Sequence, residues 1–298
     1  LCSANLPSVD VIPSEHFNTV LYTAATSNGT YQITGNGFKP DFSWVKNRDN
    51  AEGHYLFDVI RGNTNMTDKF LQSNLTSAEG AGSVSGTTIT VNDDGMQVVE
   101  TSIGSGELYF NGRTYVMWNW KAGGTASSNT NGTITSSVSA NVDAGFSIVS
   151  YSGASNATVD SSNNGGAYWT IGHGLSQAPE LIIVKKRNGA GGWYVGSDSL
   201  GSTPWVSGSH LVLSATAATA SNANVLWGNT APSSTVFKVG GWDVINRNGD
   251  TYIAHCFHSV DGHSKVGSYT GNGLVDGTFV HCGFRPKFVL IKDTTNVN

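Results

Sequence analysis

Glycoside cleavage needs two carboxyl groups converging on one bond. Asp58, Asp94, Glu100, Glu107, Asp198, Asp243 and Asp250 supply acids, but no spacing singles out a pair. Turn and surface roles are the favoured reading. Hydrolysis by an activated serine needs a Gly-x-Ser-x-Gly elbow between a strand and a helix, and the chain has no such elbow. Asn92-Asp93-Asp94-Gly95 and the run from Asp160 to Asn164 hold oxygen ligands that suit calcium; Asx turns explain both more simply. Asn163-Asn164-Gly165-Gly166 fits a hairpin turn better than a phosphate loop. The three cysteines, Cys2, Cys256 and Cys282, cannot all pair within one chain. Free, buried thiols are the favoured reading, with a Cys256–Cys282 bridge as the alternative. His255, His258, His263 and His281 lie near them without the spacing of a zinc site. No catalytic residue, metal or cofactor is expected.

Eight tryptophans are the other chemical resource. Trp44, Trp118 and Trp120 lie in apolar runs and read as core. Trp169, Trp193, Trp205, Trp227 and Trp242 sit among Gly, Ser and Asn, nearer to loops. Exposed aromatic rings stack on sugar faces, so these five are candidate glycan-binding residues. Packing in a core or between subunits is the competing reading, and the favoured one.

What must position these residues is a phrase stated three times. Gly37-Phe38-Lys39-Pro40 leads into Phe42-Ser43-Trp44-Val45-Lys46, and Gly283-Phe284-Arg285-Pro286 leads into Phe288-Val289-Leu290-Ile291-Lys292. A looser copy runs from Gly174 through Pro179 to Lys185. Glycine and proline shape a turn, and proline lacks a ladder donor, so a strand begins after it. The apolar run suits a mostly buried strand, with lysine ending it at the solvent. A second landmark, Asn111-Gly112-Arg113-Thr114-Tyr115-Val116, returns as Asn248-Gly249-Asp250-Thr251-Tyr252-Ile253 at an offset of 137, close to the 139 between Pro40 and Pro179. Two landmarks with nearly one offset indicate a duplication.

The 298-residue chain carries 37 glycines, with only 12% charged and 38% hydrophobic residues. That balance favours short strands joined by tight turns and disfavours long helices and disorder. A net charge of −5 without a basic patch argues against a nucleic-acid partner. No apolar run is long enough to span a bilayer. The expected fold is all-β, with tandem, self-contained β-sandwich (jelly-roll-like) domains and a third unit only begun. Residues 1–16 form an arm or linker, 17–142 the first repeat, 143–262 the second, and 263–298 the start of a third. The end of the first repeat, from Ala122, is a bridge rich in Gly, Ser, Thr and Asn. The last strands either begin a truncated unit or complete a neighbour's sheet.

Phe17-Asn18-Thr19-Val20-Leu21-Tyr22-Thr23, the Gly-Phe-x-Pro-x-Phe phrase, Asn111-Gly112-Arg113-Thr114-Tyr115, Gly145-Phe146-Ser147-Ile148-Val149 and Gly267-Ser268-Tyr269-Thr270-Gly271-Asn272-Gly273 together resemble a repeated β-domain family. It occurs in virion proteins of marine tailed phages, cyanophages especially. The resemblance runs from Asn5 onward and rests on structural motifs. It implies a non-enzymatic virion-surface protein: a tail fibre, spike or adhesin-like component that displays loops to host surface polysaccharide. It also implies self-association, as a homotrimer, alongside other virion proteins. A capsid decoration protein, a secreted glycan-active enzyme and an extracellular appendage subunit are the alternatives.

Overall fold

The computed structural model describes residues 11–24, 29–62, 69–80, 87–100, 112–154, 168–221 and 226–296. The fold is all-β, with antiparallel pairing between its named strands. In the first unit the strands are β1 (Phe17–Thr23), β2 (Gly29–Ile33), β3 (Phe42–Asn47), β4 (His54–Asp58), β5 (Leu71–Gln72), β6 (Thr87–Asn92), β7 (Gly95–Glu100) and β8 (Thr114–Trp120). They form a main sheet, β1-β8-β3-β4-β5, and a smaller one, β2-β7-β6.

The second set comprises β9 (Ser127–Asn129), β10 (Ser136–Asn141), β11 (Phe146–Ser152), β12 (Trp169–Gly172), β13 (Leu181–Lys186), β14 (Trp193–Ser197), β15 (Ser209–Val212), β16 (Ala220–Ser221), β17 (Val236–Val239) and β18 (Thr251–Phe257). Its main sheet runs β16-β15-β14-β13-β18-β11-β10-β9, beside the pair β12-β17. The stretch β11-β18-β13-β14-β15 repeats the order β1-β8-β3-β4-β5 strand for strand. Register repeats as well. Phe17 and Phe42 both lie opposite Trp120, as Phe146 and Leu181 lie opposite Phe257. The glycines opening the three phrases, Gly37, Gly174 and Gly283, all have φ between +75° and +83°, a conformation that glycine adopts without a Cβ penalty.

Three features differ from the sequence expectation. First, β10 falls inside the span assigned to the first repeat, yet it pairs with β11. The sheets therefore change over between Trp120 and Ser127, and not at 142. Second, the repeats are not self-contained. Alternate residues of the main sheets are apolar on both faces, so each sheet needs two covers. In the first unit Val45, Tyr55, Phe57, Tyr115 and Met117 face the small sheet. Their neighbours Phe42, Trp44, Leu56 and Trp120 join Phe146, Ile148, Ile183, Trp193 and Ile253 of the other unit in one core. The result is four layers, with the two main sheets back to back in the middle. Phe42 reaches across to His255 at 4.4 Å and to Phe146 at 5.9 Å between ring centres. The seam is also tied by polar bonds. Arg187 forks onto Glu79 through Nε (2.6 Å) and a terminal nitrogen (3.2 Å), and Gly191 N–H donates to Thr76 O at 2.8 Å.

Third, residues 263–296 hold none of the named strands. In the earlier copies the phrase strand lies between β8 and β4, or between β18 and β14. Among the described residues no strand pairs with residues 288–292, which therefore lack the ladder that made β3 and β13. The ends of the phrases differ too. Lys185 is buried at the seam, with its ammonium donating to Lys186 O at 2.8 Å and Thr76 O at 3.4 Å. Lys46 makes the matching bond to Asn47 O at 2.8 Å.

Glycine fixes one close approach in β14. A Cβ added at Gly196 would lie 2.5 Å from the Trp205 ring and 2.7 Å from that of Trp227. Gly196→Ala is expected to destabilise the chain by about 1–3 kcal/mol, the usual cost of overpacking a core. Thermal denaturation checks this; an unchanged melting temperature would refute the tight packing of those two indoles.

Candidate functional site

The acids do not converge among the described residues. Asp58 is buried in an ion pair, 2.5 Å from Arg61 Nε. Asp94 accepts the backbone N–H groups of Gly35 (2.9 Å) and Gly37 (2.6 Å), which hold its carboxyl below the ordinary range. Those donors would repel a cation, so the run 92–95 is an anchored turn. Asp198 accepts the Trp205 indole N–H, and Asp250 pairs with Lys186 at 2.6 Å. Glu107 and the run 160–164 lie outside the described residues, as does the side chain of Glu100. No cluster of three or more His, Cys, Asp or Glu residues suited to a metal occurs among the described residues. Cys256 is a free buried thiol whose pKa burial raises to about 12; Cys282 is free and half-exposed. Cys2 lies outside the described residues.

The glycan candidates are mostly interior. Trp169, Trp193, Trp205 and Trp227 are buried, which removes the faces a sugar would stack on. Trp193 donates its indole N–H to Gln72 O at 2.9 Å, and Trp227 to Ser209 O at 3.1 Å. Trp205 and Trp227 pack edge to face at 5.4 Å. Small neighbours such as Gly196 mark these positions because they admit an indole, not because they form loops. Trp242 is half-buried and packs on Tyr194 at 5.4 Å and His210 at 6.2 Å.

A second aromatic cluster lies on the first unit, with Trp44 and Trp120 buried and Phe17 and Trp118 half-buried. The period-2 alternation of β8 sends Trp118 and Trp120 to one face, where β1 adds Phe17 and β3 adds Trp44. Phe288, from the third phrase, sits among them. Its ring centre is 5.2 Å from Trp120, 5.3 Å from Trp118, 6.0 Å from Trp44 and 6.3 Å from Phe17. The contacts to Trp118 and Trp120 are edge to face, the geometry that aromatic quadrupoles prefer. Beside it, the Lys287 ammonium donates to Asn18 Oδ1 at 3.2 Å. A cleft of about 210 Å³ remains, lined by Trp44, His54, Trp118 and residues 287–290. Trp44 Nε1 donates to His54 Nδ1 at 2.9 Å, so His54 accepts there as the neutral imidazole. Burial and the nearby Lys46 lower its pKa, in agreement. The cradle can hold a ring and a cation; none of its lining residues is an acid. The core reading of Trp44 and Trp120 agrees with their burial, and Trp118 packs against the same cluster; what sequence reading missed is Phe288 seated among them. The signal lay in their common face and in a third phrase without flanking strands.

The seam holds a titration point. His255 is fully buried between Phe42 and Phe146. Burial lowers its pKa to about 4, although the Asp58 carboxylate 3.9 Å away pulls the other way. Burial likewise lowers His263 to about 4. The unfolded imidazole, with an ordinary value near 6.5, takes up a proton before the folded one does. Their contribution to stability is therefore complete above about pH 6.5 and is lost as pH falls from there towards 4. For His255 the loss is on the order of 3 kcal/mol at most. Denaturant midpoints between pH 7 and 4 should fall, and His255→Phe should fall less steeply. An equal slope in that variant would clear His255 of the effect.

No helix among the described residues is long and apolar enough to cross a membrane. A family model described as a domain of unknown function, DUF7483, matches residues 12–298. No curated protein and no solved structure matches the chain.

Proposed function

We propose that this chain, which belongs to the DUF7483 family, is a non-enzymatic structural subunit of a larger assembly. In the setting that its sequence resemblance implies, that assembly is a phage particle, and the subunit is part of a surface fibre or spike. The observation that carries the reading is the exposed apolar run on residues 263–296. Val275 and Phe279 are 106% and 88% exposed, and Leu274, Val289 and Ile291 are open to solvent as well. A concentration of apolar surface on one segment is the mark of an interface. The four-layer body behind it supports the same reading, because a shared core makes the two repeats one stiff block.

The test is location. Antibodies to the body, gold-labelled and applied to purified particles, should decorate the tail or its fibres. Particles without label would overturn the virion reading, and label on the head alone would overturn the fibre reading.

A further inference from the structure

We propose that the cleft left beside the docked Phe288 ring is a binding site for a small organic anion, a carboxylate carried on a single six-membered ring. Such a site belongs to the closed chain by itself and is independent of what the chain assembles into.

The size and the walls suit a ring. The volume of about 210 Å³ lies below the roughly 300–1,000 Å³ of pockets for drug-sized ligands. Trp118 and Phe288 are half-buried against each other, and buried Trp44 adds a third ring to the lining. Aromatic walls of this kind gain most from a partner that is itself flat or ring-shaped.

The polar groups select the charge. Trp44 Nε1–H occupies His54 Nδ1 at 2.9 Å, so the neutral imidazole carries its proton on Nε2. That N–H has no acceptor among the described residues and is not sealed from solvent. Lys287 spends one of its three N–H donors on Asn18 Oδ1, at 3.2 Å. The charge that acts on His54 is that of Lys46, positive as well. No carboxylate lines the cleft. Donors without acceptors, and cations without an acid, favour an anion that only accepts. An inorganic anion would use the donors and leave the rings idle. An apolar ring would do the reverse. A ring carboxylate uses both.

The wall that carries Lys287 is positive as a whole. Residues 263–298 hold four Lys or Arg and two Asp or Glu, a net of +2, against −7 for the rest of a chain whose total is −5. At physiological salt the field of distant acids is damped beyond about 8 Å, so Lys287 and Lys46 set the sign at the cleft.

Two sources offer this chemistry: an aromatic acid, and a uronic acid of a sugar chain. Ligand-observed nuclear magnetic resonance with the full chain separates them, using benzoate and galacturonate beside their neutral counterparts benzamide and galactose. At least one carboxylate should bind, and its neutral counterpart should bind on the order of 10-fold more weakly, as for the loss of one charge-assisted hydrogen bond. Lys287→Met should weaken the carboxylate by a similar factor without moving the melting temperature, because that side chain is exposed. Lys292→Met, on the same segment but outside the lining, should leave binding unchanged. Phe288→Ala removes a wall and should weaken binding at least as much as Lys287→Met. Binding of benzoate alone would assign aromatic acids, and binding of galacturonate alone sugar acids. The site would be overturned if neither carboxylate bound, if the neutral counterparts bound as tightly, or if Lys287→Met or Phe288→Ala bound like the unmodified chain. Binding by a chain that labels no particle would remove only the virion reading; a labelled tail with no binding would remove only the site.

Discussion

Replacing Trp193 by alanine is expected to cost about 3–5 kcal/mol, the range for removing a fully buried aromatic side chain. The side chain is 0% exposed, fills the core shared by both main sheets, and satisfies its N–H on Gln72 O of the other repeat. Truncation leaves a cavity at the seam and removes one of the two donors to that carbonyl, leaving it the Leu75 N–H at 3.2 Å. The loss should therefore register in both repeats at once. Guanidinium denaturation followed by circular dichroism, and by the fluorescence of the indoles on β3 and β8, should show one transition, moved to lower denaturant by either probe. Two separate transitions, with only one displaced, would refute the shared core.

Arg61→Ala should be comparably severe, at about 3–5 kcal/mol, because it strands a buried carboxylate. Arg61 and Asp58 are both fully buried as side chains. Arg61 also donates to Lys69 O at 2.6 Å and to Leu56 O at 2.9 Å, closing the turn after β4. Removing the charge on both partners, in Arg61→Met with Asp58→Asn, should cost less than the two single losses added together. A double-mutant cycle read from denaturant midpoints measures the coupling. Additive losses would mean that the pair does not act as a pair.

Much of the fold was legible in the sequence. The phrase around Pro40 and its copy around Pro179 occupy the same place, each opening a strand flanked by the last strand of its unit and by the strand that follows it in the chain. The matching offset of the Asn-Gly landmarks reflects the same order. Less visible was which face meets which. Repetition along the chain says that β3 corresponds to β13, but not that Phe42 packs against Phe146. That contact is specified only by alternation, since Phe42 and Trp44 point one way and Val45 the other. The burial of Trp193 and Trp205 agrees with the favoured reading of packing, and the glycan alternative arose for a related reason. Trp193 and Trp205 stand among small residues, which read as loops; in space the small residues are the room that an indole needs. The third phrase repeats the turn at Gly283 but not the strand, because a strand is a property of its neighbours as much as of its residues.

The back-to-back sheets have an evolutionary consequence. A side chain enlarged on one repeat must be answered by a smaller one on the other, since Phe42, Trp120, Phe146 and His255 occupy a common volume. Cutting between Trp120 and Ser127 would expose two oily surfaces instead of releasing two usable modules. Neither copy is free to drift, shuffle or multiply by itself, and the heritable building block is the couple.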